Sequence, residues 1–216
     1  MVSRKEQIQA LLKEIRECEV ACQEVKVKRT PLVYSAEDPK VMIVSEVPPF
    51  VPWENGLGDE WASGTLSIPE GTRYTSATLL KWLSTEEHQM TGHDAEKLFF
   101  WIQRSNCCLQ GNKDDKVPRG VINRVYPRCS REYIERAIDI VKPRLILSLG
   151  GHASWWFKPG KALKDVVGNE NKHRGYDYYA LAHPSPNSRW PTQYPEKHKR
   201  SLELVRPIIS NLLSEL

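Results

Sequence analysis

The chain has 216 residues, 27% charged and 40% hydrophobic, a balance that fits one folded domain over 1–216 with a real core and excludes a disordered chain. No apolar run approaches the roughly 20 residues that span a bilayer, and the charged start Met1-Val2-Ser3-Arg4-Lys5 has no signal-peptide core, so a cytoplasmic monomer without a membrane partner is expected. The net charge of +4 permits a polyanionic partner without demanding one, and five cysteines, an odd number, argue against a disulfide framework.

In chain order, residues 4–25 read as a helix with Ile8, Leu11, Leu12, Ile15, Cys18 and Cys22 on one face. Val41–Val44 is a buried-strand run that ends at Ser45-Glu46-Val47-Pro48-Pro49. Residues 50–75 carry Pro, Gly, Trp and charges without periodicity and read as a long functional loop. Ser76 is expected to cap a short helix to Leu83. Leu98–Ile102 is a second strand, followed by a long polar loop. Ser130 is expected to cap a helix from Arg131 to Val141, ended by Lys142-Pro143. Leu145–Leu149 is a third strand, and Gly150-Gly151-His152-Ala153 turns into a further short helix. Tyr178–Ala182 is a fourth strand, and residues 195–215 form a closing helix with Leu202, Val205, Ile208, Ile209, Leu212 and Leu213 as its apolar face. Four apolar strands alternating with helices predict an α/β fold, a three-layer α/β/α sandwich around a central four-stranded, mostly parallel sheet.

The fourth strand leads into His183-Pro184-Ser185-Pro186. The prolines fix their own φ and push His183 and Ser185 out of the helical region, so the histidine stands on a stiff corner at a strand's C-terminal end. In open α/β sheets ligands bind at that rim. The ends of the first and third strands, Ser45-Glu46-Val47 and Gly150-Gly151-His152, fall on the same rim. Basic residues cluster at Lys172-His173-Arg174 and at Lys197-His198-Lys199-Arg200. The first cluster flanks this corner in sequence and permits a polyanionic partner, and the second reads as a solvated helix face.

These three strand ends resemble the motifs of the uracil-DNA glycosylase superfamily. "KVMIVSEVPP" is similar to a first motif ending in GEAPG or GQDPY, "IVKPRLILSLGGHAS" to the central segment, and "HPSPNSRW" to the last motif, HPSPLS or NPSGLSR. The resemblance covers most of residues 10–215 and is nearest to the iron–sulfur branch, commonly called family 4. It implies a monofunctional DNA glycosylase of base excision repair. Such an enzyme flips uracil, or another deaminated base such as hypoxanthine, out of DNA and hydrolyses the N-glycosidic bond.

On this resemblance His183 is the donor to the departing base, and Glu46, matching the Glu of GEAPG, is the carboxylate that assists the sugar and the attacking water. Glu54, Asp59 and Glu60 are further carboxylates in the long loop. The base would be held by Val47, Pro49, Phe50, Trp61 and Asn106, with Trp53 a second candidate for stacking. Pro49, with Phe50 next, stands where one branch has the tyrosine that excludes thymine, so the resemblance does not carry thymine exclusion over to this chain and leaves room for a base other than uracil. The uracil-reading asparagine aligns with Arg104, and Asn106 is the nearest asparagine. Ser185, Asn187, Ser188, Arg189 and Trp190 would contact DNA, with Arg189 or Trp190 filling the hole left by the flipped base. Cys18, Cys22, Cys108 and Cys129 match the ligands of a structural [4Fe–4S] cluster, with Cys107 a weaker fit than Cys108 and zinc a second possibility. The partner is then DNA with a damaged base, in the nucleoid. A catalytically silent nucleic-acid-binding relative of the same fold and an unrelated small-molecule enzyme using the same rim are the alternatives.

Overall fold

In the computed structural model, residues 2–18, 25–27, 34–46, 75–104, 108–109, 119–185 and 188–216 are described. A six-stranded sheet has the order β2-β4-β3-β6-β8-β7. Its centre is four parallel strands, β4 (Phe99–Gln103), β3 (Val41–Ser45), β6 (Leu145–Leu149) and β8 (Tyr176–Leu181). Two short antiparallel strands, β2 (Tyr34–Ser35) and β7 (Asn171–His173), extend this expected four-stranded centre at its edges. A separate ribbon pairs β1 (Val25–Val27) with β5 (Cys108–Leu109).

Residues of β3 alternate between two cores, as the pleat requires. Met42 and Val44 pack under α1 (Arg4–Arg16) and its neighbours, while Val41 and Ile43 pack under α2 (Thr75–Leu83), α3 (Gly92–Leu98) and the closing helix α9 (Pro195–Ser214). The three-layer α/β/α arrangement follows, with the short helix α7 (Leu163–Val166) adding Val166 to the first of these cores. Leu202, Val205, Ile209 and Leu212 of α9 are buried, with Ile208 and Leu213 partly so.

Local chemistry fixes several helix ends. Ser3 accepts from the Glu6 amide at 3.2 Å while Glu6 accepts from the Ser3 amide at 2.7 Å, a reciprocal cap on α1. Thr91 and Asp94 cap α3 in the same way.

Four expectations are corrected. Helix α1 stops at Arg16, where Glu17 caps it, so Cys18 lies beyond the helix; the Cys-Glu-Val-Ala-Cys stretch is poorer in strong helix formers than the segment before it. Helix α2 begins at Thr75, which puts Ser76 inside it and not at its cap. The second strand starts at Phe99, because Leu98 closes α3. Ser130 is not a cap either: α4 (Arg119–Cys129), a π-helical turn (Ser130–Ile134) and α5 (Glu135–Val141) follow one another without a break. Pro127, inside α4, lacks the amide that would bond the Asn123 carbonyl.

Candidate active site

The parallel strands end on one rim, and the residues within three positions of those ends build the site. Glu46 follows β3 and Arg104 follows β4, whose register is extended by the Arg104 amide donating to the Ser45 carbonyl at 2.9 Å. Helix α6 (Gly150–Phe157) follows β6 directly and carries His152 in its first turn, and His183 stands two residues past β8.

His183 is held from two sides. Its Nδ1 accepts from the Ser185 amide at 3.2 Å, so in the neutral ring the proton sits on Nε2 and is available to a ligand. Burial lowers the imidazole pKa below the ordinary value, and the Glu46 carboxylate opposes that shift in part. Gly150 has φ +85°, and a Cβ there would lie 3.1 Å from His183 Cβ and 3.3 Å from Cδ2. The glycine is required both by its backbone angle and by the ring packed on it.

Glu46 is bracketed by two aromatic side chains. Tyr126 of α4 donates its hydroxyl to Glu46 Oε1 at 3.0 Å, and His152 Nε2 lies 3.6 Å from the same oxygen. The rings of Tyr126 and His152 meet edge to face, with centroids 5.9 Å apart. Burial is the main force raising the Tyr126 pKa, with the adjacent carboxylate acting in the same direction, so this hydroxyl stays protonated and donates.

Behind them lies Arg104, only 3% exposed. Its Nε donates to Ser130 Oγ at 3.2 Å and one terminal nitrogen donates to the His152 carbonyl at 2.6 Å. Its guanidinium lies 4.8 Å from the centre of the Tyr126 ring. Burial draws its pKa down to about 10, against the pull of Tyr126 and Glu46, which leaves it charged at neutral pH. Trp155, 47% exposed on α6, flanks the same guanidinium at 5.9 Å.

His183 and Glu46 both stand on this rim, close enough for the Glu46 carboxylate to act on the His183 imidazole through its charge. Arg104, aligned with a base-reading amide, is turned inward instead and ties the π-helical turn to α6. Ser185 serves His183 through its amide, and the Ser188 amide donates to the Ser185 carbonyl at 2.9 Å, closing the turn. Arg189 is exposed just before the short helix α8 (Trp190–Gln193). Trp190 is partly buried against the core, 5.0 Å from the Tyr194 ring, so Arg189 is the more exposed of the two candidate wedges. Val47, Pro49, Phe50, Trp53, Glu54, Asp59, Glu60, Trp61, Asn106 and Asn187 lie outside the described residues, as do Cys22 and Cys107.

The Lys172–Arg174 cluster does not serve this rim. It occupies the β7–β8 turn, at the opposite end of β8 from His183. Lys172 pairs with Asp177, and Arg174 with Glu135 at 2.8 Å and Asp139 at 2.6 Å. In the second basic cluster Lys199 and Arg200 approach Glu203, and the His198 ring packs 4.4 Å from Trp82.

Of the four cysteines matched to a cluster, Cys18 and Cys129 have described side chains, and both face Tyr133, whose hydroxyl bonds Cys18. The β1–β5 ribbon sets Cys108 opposite Val27, five residues after Cys22. Among the described residues, no three His, Cys, Asp or Glu side chains gather as they would around a metal ion. Nor, among them, is any helix long and apolar enough to cross a membrane.

Tyr126, Arg104 and His152 are the site residues that sequence reasoning did not assign. His152 carried a signal by standing on the third strand end, in the central segment, and Arg104 by aligning with the base-reading asparagine; Tyr126 carried none.

Such a molecule is an α/β protein with a histidine and a glutamate at the carboxyl ends of its parallel strands, the usual place for a ligand in this architecture. A sequence model of the uracil DNA glycosylase superfamily matches residues 32–206, a span that takes in every strand of the rim, and the chain belongs to that superfamily. No curated protein matches the chain.

Proposed function

We propose that the protein is a monofunctional DNA glycosylase that flips out and excises uracil, or another deaminated base such as hypoxanthine, during base excision repair. The observation that carries this reading is His183, a histidine kept neutral by burial, with Nδ1 occupied by its own loop and Nε2–H left to donate beside a fixed carboxylate.

In the reaction the bond between the sugar C1′ and the base nitrogen breaks, and its electron pair leaves with the base. Negative charge gathers on the base carbonyl, where the His183 Nε2–H donates. Glu46 faces the cationic sugar and takes a proton from the water that attacks C1′. A neutral donor suits this task, since it stabilises the anion without having to be protonated at neutral pH. Arg189 is the side chain that would enter the stack in place of the flipped base. The enzyme would act as a monomer on cytoplasmic, nucleoid-associated DNA.

The cysteines support a structural [4Fe–4S] cluster held by Cys18, Cys22, Cys108 and Cys129. The Tyr133 hydroxyl bonded to Cys18 and within electrostatic reach of Cys129, and a ribbon that carries Cys108 to the segment after Cys22, fit four thiolates drawn from three separate elements. When bound, the cluster would cross-link the end of α1, the ribbon and the end of α4. Brown protein with iron and sulfide on anaerobic purification, lost in Cys129→Ser, is the expected result; colourless, iron-free protein would refute it.

One observation favours a second reading, a DNA-binding relative without turnover. Arg104 occupies the place of the base-reading amide and points away from the rim. Incubation with single- and double-stranded oligonucleotides containing uracil or hypoxanthine decides between the two. Release of free base supports the enzyme, and salt-dependent binding without release supports the binder.

A further inference from the structure

Glu46 is bracketed at a single oxygen. Tyr126 and His152 approach it from two different helices, yet both meet Oε1, at 3.0 and 3.6 Å. Among the described residues Oε2 takes no hydrogen bond. The carboxylate is 30% exposed and His152 50% exposed, so the pair stands at the mouth of the site and not in the core.

Arg104 orders both partners from behind. It donates to the His152 carbonyl at 2.6 Å and lies 4.8 Å from the Tyr126 ring. A buried cation thus fixes the backbone of one partner and the ring of the other. The titratable groups facing Glu46 among the described residues are Tyr126 on α4, His152 on α6, Arg104 after β4 and His183 after β8.

We propose that His152 is a positioning residue that, with Tyr126, clamps Oε1 of Glu46 and so aims Oε2 at the reacting sugar carbon and its water. At 3.6 Å the contact is an ion-pair distance, longer than a hydrogen bond, and it closes to one when DNA fills the site. This role rests on the glycosylase reading above. It adds a residue from the third strand end to a mechanism otherwise built from the first and fourth.

The test uses the full chain and a uracil-containing oligonucleotide, with single-turnover base release and DNA affinity measured separately. His152→Leu is expected to slow release about 3- to 30-fold, the range of a coupled pair, and to leave the dissociation constant within about twofold. His152→Gln, whose amide can still donate to Glu46, should recover most of the rate. In a Glu46→Gln background, His152→Leu should slow release less than about twofold further, because the clamp has no carboxylate left to aim. If circular dichroism shows His152→Leu to be unfolded, His152→Asn, too short to reach Glu46, carries the same comparison.

An unchanged rate in His152→Leu, or an equal slowing in both backgrounds, overturns the clamp while leaving the glycosylase intact. Absence of release by the wild-type protein overturns the glycosylase reading and the role together.

Discussion

Tyr126 and Glu46 are 80 positions apart in the chain and 3.0 Å apart in the fold, joined by a hydroxyl-to-carboxylate hydrogen bond. The tyrosine is 1% exposed and the glutamate partly open to solvent, so the bond runs from the core outward to the rim. It fixes the direction of the carboxylate without adding charge.

Tyr126→Phe keeps the ring under Arg104 and removes only the hydroxyl. A hydrogen bond to a partly exposed carboxylate at the low end of its usual range corresponds to about tenfold in rate. Single-turnover release should fall by about that factor while melting temperature moves by only a few degrees. An unchanged rate would show that Glu46 needs no such support.

Acidification should weaken the fold through its half-buried histidines. His183, His173 and His198 all have pKa values lowered by burial. The unfolded chain then binds more protons than the native one between the ordinary histidine value near 6.5 and the lowered native values, so stability falls as pH drops through that window. Thermal unfolding followed from pH 7.5 to pH 5 is expected to show this decline, and His183→Asn should flatten part of it. Base release should fall on the same acid side, because a protonated Nδ1 can no longer accept from the Ser185 amide that holds the ring in place. A flat stability profile in the wild type would contradict the buried, neutral assignment.

Gly150→Ala adds one methyl group at φ +85°, 3.1 Å from His183 Cβ. The left-handed backbone alone costs about 1–2 kcal/mol, and the ring must also shift. We expect a loss of stability of that size or more by denaturant unfolding, together with a fall in release of about tenfold or greater, since a displaced donor loses its aim. Gly151→Ala is the control: a Cβ there meets nothing within 4 Å, so neither quantity should change much.

Arg104→Met should be more damaging to the fold than its single position suggests. It leaves the His152 carbonyl and Ser130 Oγ without their donor in a buried setting, a loss of about 2–4 kcal/mol. Arg104→Asn, which restores the residue expected of the superfamily's base-reading position, should destabilise as well and should not sharpen the preference for uracil. A gain in uracil selectivity would show that Arg104 faces the base and not the helices.

The parallel strands are legible in sequence because each is buried on both faces. Val41–Ser45 and Leu145–Leu149 are unbroken apolar runs apart from a serine, and the pattern needs no partner to be seen. His183 is legible for a different reason: two prolines fix its corner locally. The edge strands β2 and β7 are two and three residues long, too short for any alternation to declare itself. Helix α4 is hidden by Gly120 and Pro127, which read as breakers although the helix accommodates both.

Arg104 and Tyr126 are illegible because their roles depend on contacts 26 to 80 positions away. No local pattern distinguishes an arginine that closes a strand and faces solvent from one that folds back beneath it. Lys172 and Arg174 illustrate the converse. Their clustering in sequence suggests a basic surface, and their acidic partners come from β8 and α5.

The π-helical turn has a consequence for how this chain tolerates length changes. An α-helix advances about 100° per residue, and a π-helical turn absorbs one residue beyond that count. Tyr126 and Cys129 lie before Ser130–Ile134, and the Arg174-binding residues Glu135 and Asp139 lie after it. Removing one residue from the turn would regularise the helix and leave its two halves nearly in phase, because the wider π turn takes up its extra residue within about the same rotation. Tyr126 would keep its direction toward Glu46, and the change would fall within Ser130–Ile134, where Ser130 meets Arg104 and Tyr133 meets Cys18. The turn is a local bulge that presents Ser130 and Tyr133 to their partners, and the rod on either side of it can tolerate its loss while those two contacts cannot.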